Sequence, residues 1–308
     1  MQVVYGHHNA PAWDEAAIAI GNFDGVHVGH RALISRAREL AEANAAVTVA
    51  LTFDPHPSAL LAPARAPRLL TSIERRIELL GEAGVDAVVV EPFTHELAGI
   101  APNAFVDDVV IFALRARAII VGYDFSYGQG RTGTVEALRA HGIHAGIEVA
   151  VVPAVTVDGE VAASTKIRGH LRAGDLVRAA RMLGRPWDVD GTVVHGAERG
   201  RALGIPTANI RPEVELVVAP GIYAVTLRIE GGTALPAVAS LGTNPTFVED
   251  GDLGLEVHVL DWSGDLYDRR VRTTFVARLR DERKFDSVDA LMAQIARDIE
   301  QARAILAR

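Results

Sequence analysis

The chain has 308 residues, 49% of them hydrophobic and 23% charged, with a net charge of −8 at pH 7; this describes a folded protein with room for two ordinary domains and excludes a disordered one. An acidic balance without a basic block argues against nucleic acid as a partner, because binding a phosphate backbone needs a clustered positive face. Zero cysteines exclude disulfides and thiolate metal sites and fit a cytoplasmic setting, and neither a leader peptide nor a membrane span is evident, the stretch Val109–Val121 being broken by Arg115 and Arg117.

In chain order, the first half alternates short apolar runs with helical patterns. The runs Ala17–Ile20, Val47–Phe53, Ala87–Glu91, Ala118–Gly122 and Ile147–Val152 suit buried parallel strands. Between them, helical spacing covers Arg31–Ala43, Ile73–Gly84, Asn103–Leu114 and Val135–His141, with Ser72 and Pro102 as start signals. Repeated βα units predict a doubly wound α/β sheet with ligands at the carboxyl ends of its strands. A helical stretch, Leu171–Leu183, then leads to strand-like runs at Val189–Val194, Ala224–Ile229, Ala234–Leu241, Leu255–Leu260 and Arg270–Leu279. Separated by Gly, Pro and Asn turns, these read as a β-barrel or sandwich, closed by a helix over Val288–Leu306. The expected domains are therefore 1–183 and 184–308.

The first strand ends in Gly21-Asn22-Phe23-Asp24-Gly25-Val26-His27-Val28-Gly29-His30. A Gly-rich turn entering a helix presents unpaired N–H groups and a positive dipole end, which suits phosphate. Gly25 and Gly29 let a ligand approach closely, while His27 and His30 fall on one face of the first turns, placed to stabilise developing charge. A purely structural turn is the alternative, as is a metal cluster of Asp24, His27 and His30. Phosphate is the stronger reading. The run Gly128-Gln129-Gly130-Arg131-Thr132-Gly133 fits a dinucleotide fingerprint by spelling only, since five residues separate it from the preceding strand. No P-loop occurs.

A second dense segment spans Gly191 to Ile210. Its glycines at 196, 200 and 204 permit an N–H-lined loop around phosphate, to which Arg199 and Arg201 add charge. Thr207 and Asn209, two apart in an extended segment, share a face and offer oxygen ligands suited to Mg²⁺. A surface hairpin explains this segment equally well. In Leu255–Leu260, Glu256 and His258 lie opposite an apolar face, so Glu256 is a candidate general base or else an ordinary solvent-facing carboxylate.

Taken together, these segments resemble the prokaryotic bifunctional riboflavin kinase/FAD synthetase family over essentially the whole chain. Residues 21–30 match its HxGH-type nucleotidyltransferase signature, and Thr52-Phe53-Asp54-Pro55-His56-Pro57 resembles a loop near flavin and nucleotide. Val121–Gly128 with Arg131 and Gly133 is similar to its third motif, Ser164-Thr165-Lys166-Ile167-Arg168 to its phosphate-gripping motif, and the run ending Pro206-Thr207-Ala208-Asn209 to the flavokinase signature. Gly221-Ile222-Tyr223, Gly242–Phe247 and Glu256-Val257-His258 follow in the family's order. Ala163 and Thr134 depart from its commonest residues.

The resemblance implies a Rossmann-like nucleotidyltransferase domain followed by a riboflavin kinase barrel with a terminal helix. It implies phosphorylation of riboflavin to FMN, then adenylylation of FMN to FAD with release of pyrophosphate, using ATP and Mg²⁺; a chain with one working activity and one scaffold module is the alternative. Glu256 would be the base of the kinase, with Thr207 and Asn209 on Mg²⁺ and Gly196, Gly200, Arg201 and Gly204 around ATP. His27, His30 and Arg168 would act in adenylyl transfer, with Gly21, Phe23, Asp24, Gly25, Gly29, Ser164 and Thr165 at the nucleotide. Asp54, His56, Pro57 and Asp124 would hold flavin. No nucleic acid or membrane partner is implied.

Overall fold

A computed structural model describes residues 1–196, 204–242 and 254–307. They form two compact units, one of Met1–Pro67 with Ile73–Ala163, the other of Arg68–Ser72 with Ser164–Arg308.

In the first unit the apolar runs become strands β1 (Gln2–Tyr5), β2 (Ala16–Ile20), β3 (Val47–Asp54), β4 (Ala87–Pro92), β5 (Ala116–Gly122) and β6 (Glu148–Val152) of one sheet. Its order is β1-β4-β3-β2-β5-β6, parallel throughout. All five residues of β2 are buried, as a strand covered on both faces requires. Alternation assigns the faces. Ile18, Ile20, Val49, Leu51 and Ile119 point to one core with Phe105, Val109 and Leu138. Ala17, Ala19, Ala50, Val88 and Ile120 point to the other, against Leu33, Ile34, Ala37, Ile77 and Leu80. The helices are α1 (Val28–Asn44), α2 (Pro57–Leu61), α3 (Ile73–Glu82), α4 (His95–Gly99), α5 (Pro102–Ala104) and α6 (Val135–Ala145), and a small hairpin, β7 (Thr156–Val157) with β8 (Glu160–Val161), follows β6. Because β3 lies on one side of β2 and β5 on the other, the winding reverses at β2, and its carboxyl end opens the crevice where ligands bind in such sheets.

Three local expectations change. β1 was not anticipated, because an edge strand with one buried residue in four leaves no apolar run to read. The helix expected at Asn103–Leu114 continues from α5 as π-helical turns over Phe105–Ala113. The single helix expected over Leu171–Leu183 is two, α7 (Ser164–Arg172) and α8 (Leu176–Leu183). Gly174 between them takes φ 75°, and Asp175 caps α8 by accepting from the Arg178 N–H at 3.0 Å. Both helices group with the second unit, so the compact division falls earlier in the chain than the expected 183/184 boundary.

The second unit is a closed antiparallel barrel of β9 (Asp188–Val194), β10 (Ala208–Pro212), β11 (Gly221–Ile229), β12 (Ala234–Gly242), β13 (Gly254–Val259) and β14 (Arg270–Arg280). Tyr223, Val225, Leu227, Leu241, Leu255 and Val257 fill its interior. Buried Trp187 donates its indole N–H to the Leu70 carbonyl at 3.0 Å. The closing helix α9 (Val288–Leu306) is fastened to β14 by the nearly buried Asp298, which accepts from Arg280 Nη2 at 2.8 Å and Nε at 3.0 Å. Truncating Arg280 would strand the buried Asp298 charge at a cost of roughly 3–5 kcal/mol.

Candidate active sites

The carboxyl edge of the first sheet carries three of the segments singled out from sequence: Gly21–His30 after β2, Asp54–Pro57 after β3 and Gly122–Gly128 after β5. In the first of these, His27 is not on the helix but caps it. Its Nδ1 accepts the Gly29 N–H at 3.1 Å and the His30 N–H at 3.4 Å, so two of the helix's open donors are satisfied by an imidazole rather than kept for an anion. This also fixes the tautomer, because an accepting Nδ1 leaves the proton of the neutral ring on Nε2. Gly29 leaves room for this fold-over, since an added Cβ would lie 3.0 Å from His27 Cε1 and the ring would have to give by a few tenths of an ångström.

His30 stacks on His27 with ring centroids 3.6 Å apart and 20° between planes. Phe23 meets His30 edge-on at 5.2 Å. Phe23 is fully buried and, like Val26, holds a positive φ. Its side chain therefore buttresses His30. Burial pushes the His27 imidazole down to about 4. Burial, then the charges of His27 and Arg76, hold His30 well below the ordinary histidine range. Both rings are neutral at pH 7, each with one N–H to give. Asp24 is buried beside them; among the described residues, no three His, Cys, Asp or Glu side chains are grouped to hold a metal ion.

The other expected residues of this unit spread along the same edge. His56 caps α2 in the manner of His27, its Nδ1 accepting from the Ser58 N–H at 3.2 Å. Asp124 is exposed, with its Oδ1 3.2 Å from where a Cβ on Gly122 would stand. The Gly128–Gly133 run forms a tight turn against Tyr127, whose N–H and C=O pair with Gly133, so it opens no strand-to-helix phosphate turn. Thr134, one departure from the family pattern, caps α6 by accepting from the Ala137 N–H. A hollow of about 250 Å³ lined by Asn44, Arg117, Ile143 and Glu148 lies at the opposite, amino edge of β5 and β6 and is unconnected with these segments.

Ser164, Thr165 and Arg168 stand on the first turns of α7 in the second unit. Thr165 is exposed, whereas Arg168 is buried with its Nε donating to the Arg68 carbonyl at 2.6 Å.

In the barrel, register brings the second constellation together. Asn209 on β10 is the cross-strand partner of Glu256 on β13. Thr207 Oγ1 donates to Glu256 Oε2 at 3.4 Å. Leu255, Val257 and Val259 are buried while Glu256 and His258 face out, as the alternation predicts. An added Cβ on Gly196 would fall 2.1 Å from Asn209 Nδ2, so that glycine is the surface against which the Asn209 amide rests. His258 Nδ1 lies 2.8 Å from the Pro206 carbonyl and steadies the approach to Thr207. A hydroxyl, an amide oxygen and a carboxylate thus converge as hard oxygen donors fit for Mg²⁺. Gly204 is exposed with φ 76°. Gly200, Arg201 and Thr243–Phe247 lie outside the described residues.

Sequence reasoning missed Arg76. Its signal was present, because Ile73, Arg76, Ile77 and Leu80 follow the i, i+3, i+4, i+7 spacing of a buried stripe, with a cation where an apolar residue belongs.

Comparison with known proteins identifies the family. Residues 9–166 match the model of the FAD synthetase family and residues 183–306 that of the riboflavin kinase family. A bifunctional riboflavin kinase/FMN adenylyltransferase of Pseudomonas fluorescens is 39% identical, the match covering 100% of this chain and 98% of that protein. The protein of the same description from Listeria monocytogenes is 37% identical over 100% of this chain and 99% of its own. A crystal structure described as a macrolide-efflux protein from Streptococcus pneumoniae superposes with a TM-score of 0.86 at 30% identity, covering 98% of this chain and 99% of that one. Among the described residues, no helix is long and apolar enough to cross a membrane.

Proposed function

The chain belongs to the bifunctional riboflavin kinase/FMN adenylyltransferase family, and from that premise we propose how its own residues divide the two reactions. It phosphorylates riboflavin to FMN and adenylylates FMN to FAD, with ATP as co-substrate of both steps. The efflux named for the solved structure is a statement about that protein; the residues matched here are those of flavin nucleotide synthesis.

In the kinase half, Glu256 takes the proton of the riboflavin hydroxyl as its oxygen attacks the γ-phosphate of ATP, the bond from that phosphorus to the β–γ bridging oxygen breaks and ADP leaves. Thr207 and Asn209 hold Mg²⁺, which when bound neutralises charge on the transferring phosphate. Gly196 and Gly204 line the ATP phosphates. The short reach from Thr207 to Glu256 and the placing of Asn209 opposite it support this set.

In the adenylyl-transfer half, the FMN phosphate attacks the α-phosphate of ATP and pyrophosphate leaves. No base is required, because the nucleophile is already an anion at neutral pH; the work is positioning and charge stabilisation. His27 gives its Nε2–H, and His30 its N–H, to phosphate oxygens as charge gathers on them. Gly21, Asp24, Gly25 and Gly29 shape the nucleotide turn, Ser164, Thr165 and Arg168 serve phosphate, and Asp54, His56, Pro57 and Asp124 serve flavin. We assign adenylyl transfer to residues 1–183 and phosphorylation to 184–308, and place the enzyme in the cytoplasm, where its nucleotide substrate is at hand.

The observation that carries this division is that the imidazole pair and the Glu256 cluster belong to different compact units. Chromatography of riboflavin and FMN incubated separately with MgATP tests it. Glu256→Gln should stop FMN formation and spare FAD formation; His27→Gln should lower FAD formation by about 10²–10³-fold and spare the kinase. If either substitution, in a folded protein, removes both activities, the division is wrong.

A further inference from the structure

Arg76 is fully buried on the core-facing stripe of α3. Its Nη1 donates to the Phe53 carbonyl at 3.1 Å and to Thr52 Oγ1 at 3.4 Å. The Thr52 hydroxyl in turn donates a hydrogen bond to the Asn22 carbonyl at 3.1 Å. One side chain from α3 thus reaches the last residues of β3 and, through Thr52, the loop that leads into His27 and His30. Both segments it joins are signature segments of the nucleotidyltransferase half. Arg76 Nε and Nη2 are buried with no hydrogen-bond partner, so the cation is kept at a cost that an aliphatic side chain in the same stripe would avoid. Asp24 and Asp54, one in each joined segment, are its electrostatic counterweights. Pure packing would not select such a residue.

We propose that Arg76 is a positioning residue for adenylyl transfer, a buried tether that sets the Gly21–His30 loop against the end of β3 and so fixes where the stacked imidazoles stand. The proposal rests on the assignment of adenylyl transfer to those imidazoles. Since a single nitrogen, Nη1, makes both bonds, a lysine ammonium can reproduce them, whereas an uncharged side chain of similar length cannot.

The test uses the full chain, with riboflavin kinase activity as an internal control of folding. Arg76→Met should lower kcat for FMN adenylylation by about a hundredfold, as displacement of reacting groups by about 1 Å does, with KM for FMN and kinase kcat little changed. Arg76→Lys should recover at least a tenth of the lost rate, and Thr52→Val, which keeps the cation and cuts the link to Asn22, should lower the same kcat by about tenfold. Adenylylation by Arg76→Met within threefold of the parent, a lysine variant no better than the methionine one, or Thr52→Val at the parent rate would each overturn the tether. Should Arg76→Met fail to fold, the Lys and Val variants decide. His27→Gln run alongside reads the site assignment itself, so its failure is told apart from that of Arg76.

Discussion

The seat of Asn209 on Gly196 gives a sharp prediction for Gly196→Ala. The new methyl would stand 2.1 Å from Asn209 Nδ2 and 2.5 Å from its Cγ, and contacts under 3.0 Å are not tolerated, so the amide must retreat by about 1 Å. Asn209 lies in a paired strand, so its Cα cannot follow, and its side chain must leave the rotamer that faces Glu256. A misplacement of this size costs about 10²-fold in rate, or about 2.7 kcal/mol of transition-state stabilisation. Riboflavin phosphorylation by Gly196→Ala should therefore fall about a hundredfold, with the loss in kcat and in Mg²⁺ affinity. FMN adenylylation, which does not use Asn209, should stay within twofold of the parent. Separate assays starting from riboflavin and from FMN read the two rates. If Gly196→Ala phosphorylates riboflavin at an unreduced rate, Asn209 either does not hold the metal or is not held by Gly196.

Two further outcomes follow. Thr207→Val should raise the Mg²⁺ concentration needed for half-maximal FMN formation by at least tenfold and leave the Mg²⁺ dependence of FAD formation unmoved, which a metal titration of each reaction reads. For His27, the folded value of about 4 lies below the ordinary 6.5, so the folded protein binds fewer protons than the unfolded chain between those values. The stability this neutral ring contributes is full above pH 6.5 and is lost as pH falls to about 4, roughly 3 kcal/mol in all. Urea unfolding at pH 7 and pH 4.5 should show a smaller drop for His27→Gln than for the parent; equal drops would remove His27 as the source.

Much of this was legible because the chemistry sits where periodicity is strong. β2 is a fully buried run ending in glycine, and the alternation around Glu256 survives intact in β13. What escaped is set by contacts between segments distant in sequence. Nothing in His27-Val28-Gly29-His30 says that the first imidazole turns back to cap the helix, because that depends on Gly29 leaving room for the ring. That the Phe23 ring also buttresses His30 was hidden, since aromatic residues in glycine-rich turns look alike until the neighbour they touch is known. The break at Gly174 escaped notice although the step of five from Leu171 to Leu176 interrupts the three-and-four spacing that Leu176, Ala179 and Leu183 keep. Arg76 was overlooked because an arginine beside Glu74 and Arg75 reads as solvent-facing until the stripe is counted.

Closure of the barrel has a consequence for how the kinase can vary. Asn209 and Glu256 are neighbours across one rung, while Ile210, Leu255 and Val257 on the same two strands turn inward. Since side chains alternate with period two, a slip of one residue on either strand would carry its ligand or base into the apolar interior and push a hydrophobe out. In a cylinder whose first and last strands also pair, such a slip has no free edge to absorb it. Catalytic alignment and core composition are therefore a single specification here: substitutions that keep the lining apolar keep the active oxygens in step.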